Sequence, residues 1–448
     1  MILLPQAALA GGVLGALGLG LLRRPPAAAV RAVALLAPLA ALFFLQSEPA
    51  SAALPLLSVD LKSLGWQLVI YSAALPLALR SSGDDVEAAL FLGAVLGMGL
   101  IAAAGNLPML FIGLEFMSLP AYLLVARAGR GDSGRRLEAA LKYFFTGALA
   151  GALFLLGMAL YYSETRLLGP SSVPVGPLGQ AGVALMAAAA LFKIGAVPLH
   201  WWLPDVYEAA APEVTGFLST AMKSAAVLFL MRVVSVVPAA DVAALLAWIG
   251  AVTSLFGAVM ALRQERLARL LAYSSIAHAG LLVLGVGAWA RMGRSPTAAA
   301  AILFYLGAYA LMSNGTFGFL AATGLKTRSQ LKGYAKRRPE LALAFAVLLF
   351  SLGGVPPTGG FVAKLLVLWQ AVGAHLAGPV IVAALAALVS LGYYLALVRD
   401  MYFEEPLEEV PAPAGASSRI LVMACAFAAL VLGAAPLILK NVAGVFWP

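Results

Sequence analysis

The sequence predicts an all-α polytopic membrane protein of about fourteen transmembrane helices, arranged as two inverted five-helix repeats with two broken helices. Three observations carry this. Hydrophobic residues make up 62% of the 448 and charged residues only 11%, where soluble domains run near ~25% charged. The apolar residues fall in unbroken runs that reach the ~20 residues one span needs, without the alternation of a β-barrel. The basic residues sit almost wholly in alternate loops. A soluble globule, a disordered chain and a secreted disulfide scaffold are thereby excluded. The net charge of +9 reads as membrane topology rather than nucleic-acid binding.

The run at 5–22 has no basic stretch before it, so it reads as a span and not a cleaved signal. The run at 27–45 follows Arg23 and Arg24. The third, 63–80, is the weakest, because Lys62 and Gln67 flank a short apolar stretch. Spans at 86–104 and 107–126 are uninterrupted. The sixth, 137–162, opens among Arg135, Arg136, Glu138 and Lys142, so its start is tilted or interfacial. The seventh, 179–199, breaks at Pro198, which lacks an amide proton and clashes with the preceding turn. Spans at 213–236, 241–262, 267–289 and 296–323 follow. The twelfth, 340–373, cannot stay helical through Gly353, Gly354, Pro356, Pro357, Gly359 and Gly360. Those at 378–402 and 418–445 end the series.

Loops after odd-numbered spans, together with the span ends that flank them, hold nineteen of the 29 basic residues and loops after even-numbered spans hold four, Lys62, Arg166, Arg291 and Arg294. The positive-inside rule then puts the odd loops in the cytoplasm and both termini on the outer, periplasmic side of the cell inner membrane. Each broken span has a lysine close by, Lys193 before one break and Lys364 after the other. The breaks lie five spans apart, an odd offset, so the two segments cross in opposite directions. This divides the chain into an N-terminal three-helix segment (1–85), a first five-helix repeat (86–236), a second, inverted repeat (237–402) and a C-terminal helix (403–448). Paired broken segments point to a transport site near the midplane; the alternative is that Pro and Gly merely kink packed helices.

Apart from those at the span ends, few charges lie inside spans: Glu115, Glu138, Lys142, Lys193, Lys223, Arg232 and Lys364. Each central one costs about 2.5–3.5 kcal/mol on insertion scales, so it should face the bundle interior with partners or water. Glu115, Lys193, Lys223 and Lys364 form an acid–base series. Lysine suits proton relay because its proton affinity responds to burial and to a nearby carboxylate. A Glu–Lys contact at about 6 Å is worth roughly 3 kcal/mol at an effective dielectric of about 20, enough to switch an amine between holding and releasing a proton. The alternative is a static ion pair that only fixes packing. His278, in the tenth span, is either a proton carrier near neutral pH or a packed, hydrogen-bonded histidine. His200 belongs at an interface or access cavity, and His375 at a span end. Ser274, Ser275, Tyr305, Tyr309, Ser313 and Asn314 either line a hydrated path or bond helix to helix. Trp201 and Trp202 suit an interfacial aromatic belt, and Arg232 can snorkel.

Catalytic motifs are missing: the sequence has no P-loop, no strand-bounded GxGxxG and no HExxH. The single cysteine, Cys425, can hold neither an internal disulfide nor an iron–sulfur cluster or structural zinc. Any redox chemistry and the energy source must lie in a partner or an ion gradient.

Five segments resemble the antiporter-like membrane subunits of respiratory complex I, the NADH–quinone oxidoreductase: GLEFMSLPAYLLVA (113–126), EAALKYFFTGALAGALFLLGMALYY (138–162), FKIGAVPLHWWLPDVYEAAAPEVTGFLS (192–219), RLLAYSSIAHAG (269–280) and SLGGVPPTGGFVAKL (351–365). Within that family the GLEFMSLPAY form, and a lysine rather than a glutamate on span twelve, are similar to the subunit N type. A chain stopping at Pro448 is unlike subunit L, with its long C-terminal lateral helix. The resemblance implies a proton-translocating subunit of a translocase with no redox centre of its own. NADH, FMN, iron–sulfur clusters and quinone then belong to partner subunits, and further antiporter-like subunits lie beside it in the bilayer. It also implies roles. Glu115 would pair with Lys193, Lys223 would lie on the central hydrophilic axis, Lys364 would serve the far half-channel, and His278 matches the histidine of the family's SSIAH segment. Protons would move from Lys223 towards Lys364. The family's PTPVTAFLS is here APEVTGFLS, which adds Glu213. A subunit of a multi-subunit sodium/proton antiporter shares the helices and lysines and is the alternative; a membrane scaffold that only packs against partners is a third.

Overall fold

The computed structural model describes residues 4–21, 32–33, 36–41, 52–53, 56–79, 84–127, 133–170, 175–236, 239–406 and 416–434. The predicted span at 27–45 and the end of that at 418–445 lie largely outside them. Helices dominate: α1 (Leu4–Leu21), α2 (Leu61–Leu79), α3 (Asp85–Ala103), α4 (Leu107–Arg127), α5 (Ser133–Thr165), α6 (Pro177–Ile194), α7 (Trp202–Ala209), α8 (Pro212–Val234), α9 (Ala239–Ala261), α10 (Leu267–Arg291), α11 (Pro296–Thr323), α12 (Pro339–Gly353), α13 (Gly359–Gly373), α14 (Ala377–Phe403) and α15 (Ala416–Ala434). The only strands among the described residues are the two-residue pair Ala52–Ala53 and Ser58–Val59. Nine of these helices, α3 to α6, α8 to α11 and α14, are long and apolar enough to cross a membrane, among the described residues.

Local chemistry sets the ends. The Asp84 carboxylate caps α3 by accepting from the amides of Val86 and Glu87. Proline stands in the first turn of α11 and α12, where its missing amide costs nothing, and each ends at a left-handed glycine, Gly324 (φ +70°) and Gly354 (φ +84°). Helix α5 has 33 residues, about 50 Å at 1.5 Å per residue against a ~30 Å hydrocarbon core. Its surplus is the charged start, where Lys142 and Glu138 form an exposed i,i+4 pair at 2.8 Å. Lys142 therefore does not join the buried lysines.

Both predicted breaks are present. Helix α6 stops at Ile194 because Gly195 turns to φ +82°, and α12 stops at Gly353 ahead of Gly354. The two breaks share a form: a left-handed glycine, then a cis X–Pro bond three residues on, at Pro198 and at Pro357. Helix α8 contains a π turn over Leu218–Met222, just before Lys223.

The chain parts into two compact units, Met1–Ile194 with Thr220–Asp241, and Gly195–Ser219 with Val242–Pro448. The segment 195–219, placed with the first repeat on sequence alone, thus clusters with the second unit. In unit 1, α3 packs on α1, α2 and α4, while α6 packs on α5 and on the Lys223–Val234 half of α8. In unit 2, α10 and α11 are central, with α7, α13 and α14 against α10 and α12, α13 and α15 against α11.

Candidate functional site

Lys193 occupies the last turn of α6, where unpaired carbonyls give the helix end a partial negative charge that favours a cation. The side chain is 6% exposed. Its Nζ lies 4.8 Å from the Tyr122 ring centre and 4.6 Å from that of Tyr143, and 3.5 Å from the Tyr122 hydroxyl. The two rings meet edge to face at 4.5 Å, so they form a cage that stabilises an ammonium through their negative faces. Glu115, half-buried two turns before Tyr122 on α4, interacts with Lys193 through its charge. The two form no ion pair at 4.0 Å or less among the described residues.

Helix α5 makes room for this group. A Cβ at Gly151 would lie 2.9 Å from the Glu115 Oε1, and one at Gly147 would overlap the Tyr122 hydroxyl. One helical turn of glycine spacing therefore admits the carboxylate and the phenol side by side.

Lys223 is 2% exposed and begins the α-helical part of α8 directly after the π turn. One turn back, Ser224 donates to the Thr220 carbonyl at 2.9 Å, and Thr220 donates to the Ala73 carbonyl of α2 at 3.3 Å. Glu115, Lys193 and Lys223 all belong to unit 1.

His278 and Lys364 belong to unit 2, on the packed helices α10 and α13. The His278 Nδ1 is 2.7 Å from the Tyr305 hydroxyl, and its Nε2 is 3.4 Å from the Tyr394 hydroxyl, which also bonds Ser274. Tyr309 donates to Ser275 at 2.9 Å and lies beside Ser313, which bonds Ser219 at 2.7 Å. Most of the predicted polar set of α10 and α11 thus falls in two buried hydrogen-bonded groups, which meet where the His278 and Tyr309 rings lie 4.9 Å apart. Lys364, 6% exposed, starts on the second half of the broken twelfth span and donates a 2.9 Å bond to the Gly353 carbonyl, the last residue of the first half.

At one end of unit 2, Arg269 donates to Asp205 at 2.8 Å and to Glu208 at 3.2 Å, tying α7 to α10. Arg328 grips Asp400 through Nε (3.0 Å) and Nη2 (2.7 Å), and Arg399 takes the other carboxylate oxygen at 2.8 Å.

Of the other side chains singled out by sequence, Trp202 falls elsewhere than expected. Trp201 is exposed, but Trp202 is 3% exposed inside unit 2 and joins no belt. Arg232 donates to the Ala102 carbonyl at 2.8 Å. His200 is half-buried against Phe256, and Glu213 stands in the first turn of α8. Tyr122, Tyr143, Tyr394 and the π turn were not singled out by sequence. For Tyr122 a signal existed: Glu115, Ser118 and Tyr122 share one face of α4 at i, i+3 and i+7.

The family described as "NADH:quinone oxidoreductase/Mrp antiporter, TM" matches residues 104–390. The chain is 41% identical over 378 residues to "NADH-quinone oxidoreductase subunit N" of Halorhodospira halophila, covering 79% of this chain and 76% of that one. It is 35% identical to a chain in the respiratory complex I of Thermus thermophilus solved with aureothin, with a TM-score of 0.85 over 97% of this chain and 98% of that one. A chain of the Mrp complex from Dietzia sp. shares the fold (TM-score 0.88, 99% and 97% coverage) at 22% identity. With a family match over more than half its length and a relative this similar over three quarters of both sequences, the chain belongs to the antiporter-like membrane subunits of the NADH–quinone oxidoreductase and Mrp family, in the subunit N branch.

Proposed function

We propose that this protein translocates protons as the N-type membrane subunit of an NADH–quinone oxidoreductase. The observation that carries the reading is the burial of three amines and one imidazole within apolar helices, with rings and a hydroxyl around Lys193, hydroxyls at His278 and a carbonyl at Lys364 that can stabilise the charged forms. Lys193 and Lys223 hold protons in unit 1, and His278 and Lys364 hold them in unit 2. Glu115 tunes Lys193 through its charge, and a shift in their separation changes how tightly that amine keeps its proton.

Electron transfer belongs to partner subunits, which hold the NADH, FMN, iron–sulfur clusters and quinone. One cysteine in the whole chain does not fit a four-thiolate iron–sulfur cluster. The protein works among further antiporter-like subunits in the cell inner membrane, with both termini on the outer side by the distribution of basic residues. The test is proton pumping per NADH oxidised by the assembled complex in proteoliposomes. Lys223→Met and Lys364→Met each lower that ratio; a wild-type ratio in either refutes the reading.

The likeness to an Mrp complex chain supports a second reading, a subunit of a multi-subunit sodium/proton antiporter. It predicts proton uptake driven by a sodium gradient without NADH.

A further inference from the structure

Two neighbouring groups on α2 are among those that depart from the rule that buried polar atoms are hydrogen-bonded. Gln67 is fully buried in the middle of α2, yet neither its amide nitrogen nor its amide oxygen bonds to any protein group. Tyr71, one turn further along the same face, is 1% exposed, and its hydroxyl is likewise without a protein partner. That hydroxyl lies against Gly99 of α3, where any Cβ would overlap it. Apolar residues would fill these positions better, and α2 has no lack of them. Both residues precede the stretch 104–390 matched by the family.

Their depth is informative. Asp60 stands just before α2, at the end of unit 1 where Arg232 bonds the Ala102 carbonyl and interacts with Asp60 through its charge. Gln67 and Tyr71 follow Asp60 by seven and eleven residues, about 10 and 16 Å along a helix. Thr220 of α8 bonds the Ala73 carbonyl, which fixes α8 beside this part of α2. Lys223 lies nine residues before Arg232, about 13 Å from the same end, and so comes level with Tyr71.

We infer that Gln67 and Tyr71 line a buried water-binding site that carries protons between the Asp60–Arg232 end of unit 1 and Lys223. The primary amide offers two donors and an acceptor, and the phenol one donor and an acceptor. Waters held between them complete their hydrogen bonds and pass protons in line, each taking one up as it gives one on. The inference rests on the proton-translocation reading and adds an access route to unit 1.

The test uses the assembled complex with Gln67→Leu, Tyr71→Phe and, as a control, Lys223→Met. Gln67→Leu keeps the volume and removes both orphaned atoms, so thermal stability stays level or rises. Protons pumped per NADH fall at least threefold in Gln67→Leu and measurably in Tyr71→Phe. A high-resolution structure of the complex shows ordered water within about 3.2 Å of the Gln67 amide. If both variants pump normally while Lys223→Met does not, the route is wrong and the translocation reading survives. If Lys223→Met also pumps normally, both fail. Loss of stability in Gln67→Leu, or a dry Gln67, assigns the residue to packing and overturns the site.

Discussion

The Lys364 ammonium, carried by the second half of a broken span, bonds the Gly353 carbonyl at the end of the first half, 2.9 Å away. One side chain therefore satisfies a helix terminus and holds a titratable charge at the same place. Lys364→Met strands that carbonyl at a cost of about 1–3 kcal/mol and abolishes the charge. The expected result is a lower melting temperature of the complex together with a lower pumping ratio. Gly354→Ala acts on the same bond from the other side. Its φ of +84° disfavours a side chain, and the new Cβ would sit 3.0 Å from the Lys364 Cδ. It should lower pumping with Lys364 intact.

Gly147 and Gly151 set the room available to Tyr122 and Glu115. Gly151→Ala crowds the carboxylate, and Gly147→Ala crowds the phenol more severely. Overpacking of this kind costs about 1–3 kcal/mol. Pumping should fall in both variants, and Gly147→Ala should be the more destabilised by thermal denaturation.

The cage around Lys193 separates ring from hydroxyl. Tyr143→Phe retains the face that the ammonium approaches at 4.6 Å and should pump near wild type. Tyr143→Leu removes a cation–π contact worth about 0.5–2 kcal/mol and should shift the pH profile of pumping. Identical profiles for the two variants would exclude a role for the ring.

Ion pairs at the loop end should differ by burial. Asp400 is 2% exposed between Arg328 and Arg399. Arg328→Met should cost of the order of 2 kcal/mol, less than the 3–5 kcal/mol of a fully stranded charge because Arg399 remains. Lys336→Met breaks a pair exposed on both sides and should stay within about 0.5 kcal/mol. Thermal melts in low and high salt distinguish them.

Asp84 supplies a pH test outside the membrane spans. Burial pushes its carboxyl up, but the Arg127 hydrogen bond, the amides of Glu87 and Val86 and the Arg127 charge outweigh it and hold the group below the usual carboxylate range. A carboxyl held below its unfolded value stabilises the fold above that value and loses the contribution as pH falls through the folded one. Asp84→Asn should therefore melt below wild type at neutral pH and converge with it in acid, beneath about pH 4.

Much of the fold was legible because lipid imposes it. Apolar runs had to be helices, Pro198 and the Gly353–Gly360 cluster had to interrupt them, and Lys193, Lys223 and Lys364 had to be buried where a span surrounded them. The true length of α5 was hidden because Arg135 and Arg136, just before its apolar run, counted with the loop. Tyr143 was hidden because an aromatic on an apolar helix looks the same whether it packs on leucine or on an ammonium. Trp202 was misplaced because the break reorients α7, and no composition rule reports which of two adjacent tryptophans turns inward. Gln67 was noticed only as a weakness in a span; that its amide lacks partners depends on neighbours far away in sequence.

The π turn at Leu218–Met222 has a geometric result of its own. It inserts one residue into a coil that otherwise advances about 100° per residue. A helical wheel drawn through 212–234 as if it were uniform would rotate Lys223 onto the wrong wall by a little over a quarter of a circle. Deleting a single residue there would do to the molecule what the wheel does on paper, leaving both ends of the span anchored and its amine aimed at a different neighbour.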